Sequence, residues 1–166
     1  MRDLTNVLAT TAAGFLLLGG VGCSQEGGGA AADEESPEFA AMEYRHGLMH
    51  VFAFKLGVLR DMAEGNIAAD TAVFAESAAD LAAVAGMITE GFVPGGDSDT
   101  LAGSAALPGI WDNWDDFVQK AADLQQATQG VANQAAAGGF SVGPDAVETL
   151  GPACGGCHRV YRYQEE

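Results

Sequence analysis

An antiparallel four-helix bundle is the fold this sequence predicts, and three observations predict it. Apolar residues recur at helical spacing in four separate stretches. Glycine and proline mark the ends of those stretches. Alanine and glycine are abundant, with 23 glycines in 166 residues, while valine and isoleucine are few beside them and no strand-like alternation competes. Such a composition lets helices approach closely and leaves a thin core that a bulky group can fill. The length suits one domain.

The first helix is predicted from about Pro37 to Ala63. Met42, Met49, Phe52, Leu56 and Leu59 are spaced 7, 3, 4 and 3, which places them on one face, and Gly65 is a suitable stop. The second runs from an Asp70 N-cap to about Glu90, with Phe74, Leu81, Val84 and Ile88 in phase and Gly91 and Pro94 ending it. A Gly/Ser/Asp loop leads to Pro108. The third helix opens at Pro108 or Gly109 and carries Ile110, Phe117, Ala121, Leu124, Thr128 and Val131 to a stop at Gly138 and Gly139. The last begins near Pro144 and carries Val147, Leu150, Cys154, Cys157 and Tyr161, with a kink or restart expected at Pro152. Four amphipathic helices with short or moderate links imply the bundle.

Two segments precede it. Residues 1–22 read as an export signal, with Arg2 followed by an apolar run through Leu16, Leu17 and Leu18 that is too short to span a bilayer as a mature helix. The run ends Gly20-Val21-Gly22-Cys23, which resembles a bacterial lipobox and makes Cys23 the lipidation site; cleaved secretion without lipid is the alternative. Ser24 after it resembles the outer-membrane sorting pattern. Residues 23–37 contain no large apolar group after the anchor and read as a flexible acidic tether, leaving 38–166 for the bundle. The expected location is the periplasm of a Gram-negative bacterium, held to a membrane by the lipid alone. The net charge of −16 keeps the chain soluble, argues against a nucleic-acid partner and can steer a basic protein toward it.

The chemistry lies in Cys154-Gly155-Gly156-Cys157-His158. Two thiols three apart on a helix occupy neighbouring positions of one face. Each can add across a haem vinyl group to give a thioether, and the adjacent imidazole then reaches the iron. Cys-x-x-Cys-His is the attachment signature of c-type haem, and export fits it. Competing readings are poorer. Zinc needs about four ligands, the third cysteine is Cys23, and His46 and His50 fall on a different helix. A thioredoxin-like pair wants a strand–helix context. A simple disulfide leaves His158 without a reason. One motif implies one covalent haem c, with His158 as the proximal iron ligand. Arg162, one turn on, either lies near the same haem face or is a solvated cation at the helix C-terminus.

Arg45 and Met49 are four apart and share the core-facing side of the first helix with Phe52 and Leu56. A buried arginine is costly unless paired, and a haem propionate is a suitable partner. Met49 suits ordinary packing as well as a role over the iron. His50 is rotated by about 100° from Met49 and His46 flanks the core face, so neither is expected on the iron.

With these motifs together, residues 38–163 resemble the cytochrome c′ family. Tyr44-Arg45 followed by Met49 looks like its first-helix motif, and Leu56-Gly57 and Glu64-Gly65 fall at later positions of the pattern. Pro108-Gly109-Ile110-Trp111 is similar to the Pro-x-Ile-Trp that opens its third helix, and Cys154 to Arg162, with Tyr161, matches its terminal haem motif. The resemblance implies that Arg45 contacts a haem propionate, that Met49 packs over the iron's sixth position and that Arg162 stands beside the proximal histidine. Pro152 and the anchor with its tether depart from the family pattern.

The resemblance implies five-coordinate iron, open to nitric oxide or carbon monoxide and able to exchange electrons with an unidentified redox partner. The alternative is a dedicated low-spin electron carrier with the Met49 sulfur as sixth ligand. Enzymatic peroxidase-type chemistry wants a distal base, and no histidine falls on Met49's face, so no enzymatic activity is expected. A homodimer through the first two helices is also implied, with Ala78, Ala82 and Ala85 suited either to a close approach of the second helix to a partner or to packing inside one bundle.

Overall fold

The computed structural model describes residues 34–137 and 142–163; the expected signal, Cys23 and most of the tether lie outside them. The described chain is helical. Helix α1 spans Pro37–Glu64, α2 Thr71–Ala85, α3 Gly109–Asp112, α4 Trp114–Ala136 and α5 Leu150–Tyr161. The four longer helices form the antiparallel bundle, with α3 a single turn leading into α4. Among the described residues no helix is long and apolar enough to cross a membrane.

Helix α1 starts where the Ser36 hydroxyl accepts the Phe39 N–H at 3.1 Å and Pro37 fills a position that needs no donor. It stops at Gly65, whose φ of 78° is left-handed and whose N–H closes on the Asp61 and Met62 carbonyls. Asp70 caps α2 by accepting the N–H groups of Ala72 and Val73 at 2.9 and 3.1 Å.

Three boundaries differ from the sequence reading. Helix α2 ends at Ala85, five residues before the expected Glu90; Gly86 interrupts it, and Ile88–Gly91 tightens into a 3₁₀ turn. That turn brings Gly91 against α1, where a Cβ would stand 2.7 Å from that of Arg45. The expected third helix breaks at Asn113, whose backbone (φ −129°, ψ 46°) leaves α3 and α4 separate. The expected stop at Gly138-Gly139 falls outside the described residues. The last helix begins at Leu150 rather than near Pro144, which opens a 3₁₀ turn of its own. Pro152 is the third residue of α5, in the first turn, where a missing donor costs no helical bond.

Packing runs from α1 to α2, α2 to α4 and α4 to α5. Leu59, Phe74, Leu81 and Leu150 are fully buried in one large cluster that also holds Phe52 and Val131. Burying each such side chain stabilises by about 1.5–3 kcal/mol. Ala78 and Ala85 are buried within this cluster and Ala82 packs against it, so these three alanines contribute to the chain's own core. A second, smaller cluster of Ala106, Ile110, Phe117 and Tyr161 borders an open space between α1, α4 and α5.

Candidate haem site

That space is a cavity of about 540 Å³, within the range of roughly 300–1,000 Å³ that encloses a mid-sized organic ligand. All nine residues expected to hold the cofactor line it: Arg45, Met49, Phe52 and Leu56 from α1, and Cys154, Cys157, His158, Tyr161 and Arg162 from α5 and its end. Periodicity thus placed two helices correctly across a gap, though it could not show the gap.

On the α5 side, Cys154 and Cys157 are half-buried, and no disulfide joins them. Burial raises both thiol pKa values; nearby Lys120 partly offsets the rise at Cys157. His158 faces the same cavity, and burial followed by the neighbouring Arg162 lowers its pKa below 6.5. The imidazole is therefore neutral at pH 7, the form that binds a metal. Among the described residues no three His, Cys, Asp or Glu side chains converge to hold a metal ion.

The opposite wall is α1. Met49 and Leu56 are half-buried there and Phe52 is buried. Arg45, only 3% exposed, donates to the Gly91 carbonyl at 3.0 Å, the Gly96 carbonyl at 2.6 Å and the Ser104 hydroxyl at 2.7 Å. Its guanidinium also lies 5.2 Å from the Phe92 ring centroid. Burial lowers its pKa, opposed by the Asp97 charge. The loop's carbonyls thus supply pairing that the sequence reading had assigned to a propionate alone. Three acceptors engage a group with five N–H donors, so Arg45 both shapes the loop and borders the cavity.

His46 and His50, set aside as iron ligands, also reach the cavity wall, His46 half-buried and His50 exposed, which corrects the expectation that no histidine shares Met49's side. Phe92, Ile110, Phe117 and Lys120 line it too and were not named as site residues. Ile110 and Phe117 were legible as apolar positions of one helix face. Lys120 is three residues after Phe117, a spacing that could have flagged it. Phe92 sits in an irregular turn, where no periodicity applies.

The walls fit a porphyrin. They are mainly apolar and aromatic, with Phe92 and Phe117 centroids 4.6 Å apart and Phe117 edge-on to Tyr161 at 5.6 Å. Three of the chain's seven Lys and Arg residues, Arg45, Lys120 and Arg162, border this one cavity in a molecule of net charge −16. Carboxylate substituents on an otherwise apolar ligand match that set.

Comparisons with known proteins agree. The family model described as Cytochrome C′ matches residues 40–162. A curated relative, cytochrome c-554 of Cereibacter sphaeroides, is 38% identical over 127 residues, covering 75% of this chain and 93% of that protein. Cytochrome c′ of Halomonas halodenitrificans is 34% identical, covering 74% and 95% respectively. Among solved structures, cytochrome c prime from Shewanella frigidimarina superposes with a TM-score of 0.71 at 29% identity, covering 78% of this chain and 98% of that one.

Proposed function

The chain belongs to the cytochrome c′ family, whose cofactor is a covalent haem c, and from that premise we propose a one-haem redox protein with an open sixth position, attached through Cys154 and Cys157 and ligated by His158. The observation that carries this is the convergence of both thiols, the imidazole and the Met49 side chain on one apolar-walled cavity. When bound, the haem supplies a ferric–ferrous couple and an iron that can take a diatomic gas. The chain's residues select for these. His158 offers a neutral nitrogen. Met49, Phe52 and Leu56 form a crowded apolar distal wall that admits nitric oxide or carbon monoxide and excludes larger or anionic ligands. Arg45, Lys120 and Arg162 balance the propionates, and desolvation favours such pairing over hydration.

Two observations favour a second reading: Met49 is on the cavity wall, and the 38% relative carries the name cytochrome c-554 rather than c′. In it the Met49 thioether takes the sixth position, which raises the reduction potential and blocks gases. The ferric absorption spectrum separates the two. High-spin bands, with carbon monoxide uptake on reduction, support the open site. Low-spin bands that turn high-spin in Met49→Ala support ligation by Met49. Low-spin bands unchanged in that variant defeat both.

The site of action in this proposal is the Gram-negative periplasm, reached by the export signal of residues 1–22, with Cys23 lipidated and residues 23–37 as tether. No turnover chemistry is assigned. For a homodimer through α1, the supporting observation is that its apolar residues Val51 (45%) and Phe54 (70%) are exposed. Sedimentation of the mature protein with and without Phe54→Glu tests it: a dimer that the substitution dissolves supports the contact, and a monomer throughout rejects it.

A further inference from the structure

We propose that Asp116 and Tyr161 form a clamp that fixes the rotation of α5 and thereby the direction from which His158 meets the iron. Tyr161 follows His158 by three residues, so the two stand one turn apart on the same side of α5, and both line the cavity. The Tyr161 ring is buried, 4% exposed, and packs edge-on against Phe117 of α4. Its hydroxyl donates to the Asp116 carboxylate at 2.5 Å, with the Asn113 carbonyl a more distant acceptor at 3.5 Å. Asp116 is in turn held by Lys120, 3.4 Å away. The main chain is tied at the same level. The Leu107 N–H donates to the Tyr161 carbonyl at 3.0 Å, and the Tyr163 N–H donates to the Ala105 carbonyl at 2.8 Å.

These contacts act on different degrees of freedom. The main-chain pair with residues 105–107 holds the end of α5 in place but leaves the helix free to roll slightly about its axis. A hydrogen bond from the side chain of Tyr161 to a neighbouring helix opposes that roll, because it acts away from the axis. His158 has no separation in sequence from which to escape the same rotation. Asp116 and Tyr161 are accordingly positioning residues. The Asp116 charge makes the bond charge-assisted and stronger than a neutral one. Lys120 compensates that charge, which keeps the clamp compatible with a cavity that must hold carboxylates.

The inference rests on His158 being the iron ligand, and the experiment separates the two ideas. Holoprotein with covalent haem is prepared as wild type, Tyr161→Phe, Asp116→Ala, the double variant, Asp116→Asn and His158→Ala. Each is examined by ferric electron paramagnetic resonance and by thermal melting. Both single variants are expected to shift and broaden the iron g-values alike, the double variant to add nothing further, and Asp116→Asn, which keeps an acceptor oxygen, to recover most of the wild-type signal. Asp116 is 54% exposed and phenylalanine preserves the Tyr161 ring packing, so folding is retained in these variants. If the single variants lower the melting temperature yet leave the g-values unmoved, the clamp is structural only and the proposal is overturned; additive shifts overturn the pairing. An unchanged signal in His158→Ala defeats the ligation reading itself.

Discussion

The two ends of the bundle are made from the same helices but solve opposite problems. At one end α1, α2, α4 and α5 close on each other through Leu59, Phe74, Leu81 and Leu150, with alanines such as Ala78 and Ala85 filling the remaining gaps. At the other, α1, α4 and α5 stand apart around a cavity of about 540 Å³ whose wall carries three cations, two thiols and three imidazoles. The closed end earns stability; the open end holds chemistry. The boundary between them falls within single helices. Phe52 belongs both to the closed cluster and to the cavity wall, while Leu59 two turns later is wholly inside. The difference teaches that half-burial of Met49 and Leu56 on α1 reflects their place on a cavity wall rather than loose packing of the core.

Substitutions at the two ends should therefore give different phenotypes. The largest effect is expected from replacing Cys154 and Cys157 together by serine, which abolishes covalent pigment; haem-stained denaturing gels read this directly, and any pigment that stays with the chain contradicts the attachment. At the closed end, Phe74→Ala removes a fully buried ring and should cost about 3–5 kcal/mol, seen as a lower denaturation midpoint. The visible spectrum of the surviving folded fraction should stay that of wild type, and a changed spectrum would show that the two ends are not separable.

A smaller loss, about 1 kcal/mol, is expected for Asp70→Ala, which removes the cap of α2 far from the cavity. Equal stability of the variant in urea titration would mean that solvent replaces the cap at no cost. The smallest effect is a pH dependence at the open end. The Asp116 hydrogen bond, then burial, push the Tyr161 pKa up from 10.0 to about 12, so the folded chain keeps this proton longer than the unfolded one. That contribution is complete below pH 10 and is lost as pH rises toward 12. Asp116 shifts the other way, its pKa lowered by Tyr161, so its share is present above the ordinary carboxylate range and fades as pH falls. Melting curves between pH 9 and 12 should show a decline that Tyr161→Phe flattens; identical slopes would remove Tyr161 from the account of alkaline stability.

Legibility in the sequence follows the same division. The closed end was readable because its residues repeat: Phe74, Leu81 and Val84 were placed on one face and are buried together, while Ile88, expected in phase with them, is buried in the 3₁₀ turn at the cavity wall. The cavity end was readable where chemistry marks it, at Cys154, Cys157 and His158, where helical spacing turned Phe52, Leu56, Ile110 and Phe117 inward, and where spacing and resemblance together supplied Arg45 and Met49. What escaped has physical causes. The early end of α2 and the turn at Gly91 depend on a tertiary contact with Arg45, which no local pattern encodes. The break at Asn113 is a backbone conformation, and its carbonyl serves both Phe117 and Tyr161. Phe92 and the loop carbonyls around Arg45 are irregular in sequence and meet only in the fold. Ala78, Ala82 and Ala85 were ambiguous in the sequence because a small residue suits an internal interface as well as an external one; in the fold they belong to or pack on the chain's own core.

The central claim is that this chain holds its haem by covalent bonds from the two cysteines of α5. Mass spectrometry of the exported protein, unfolded in acid and denaturant, tests it most directly. The expected spectrum shows the polypeptide with one porphyrin's added mass, localised to the peptide spanning Cys154 to His158. A chain of unmodified mass, with the pigment free in solution or never present, would contradict it.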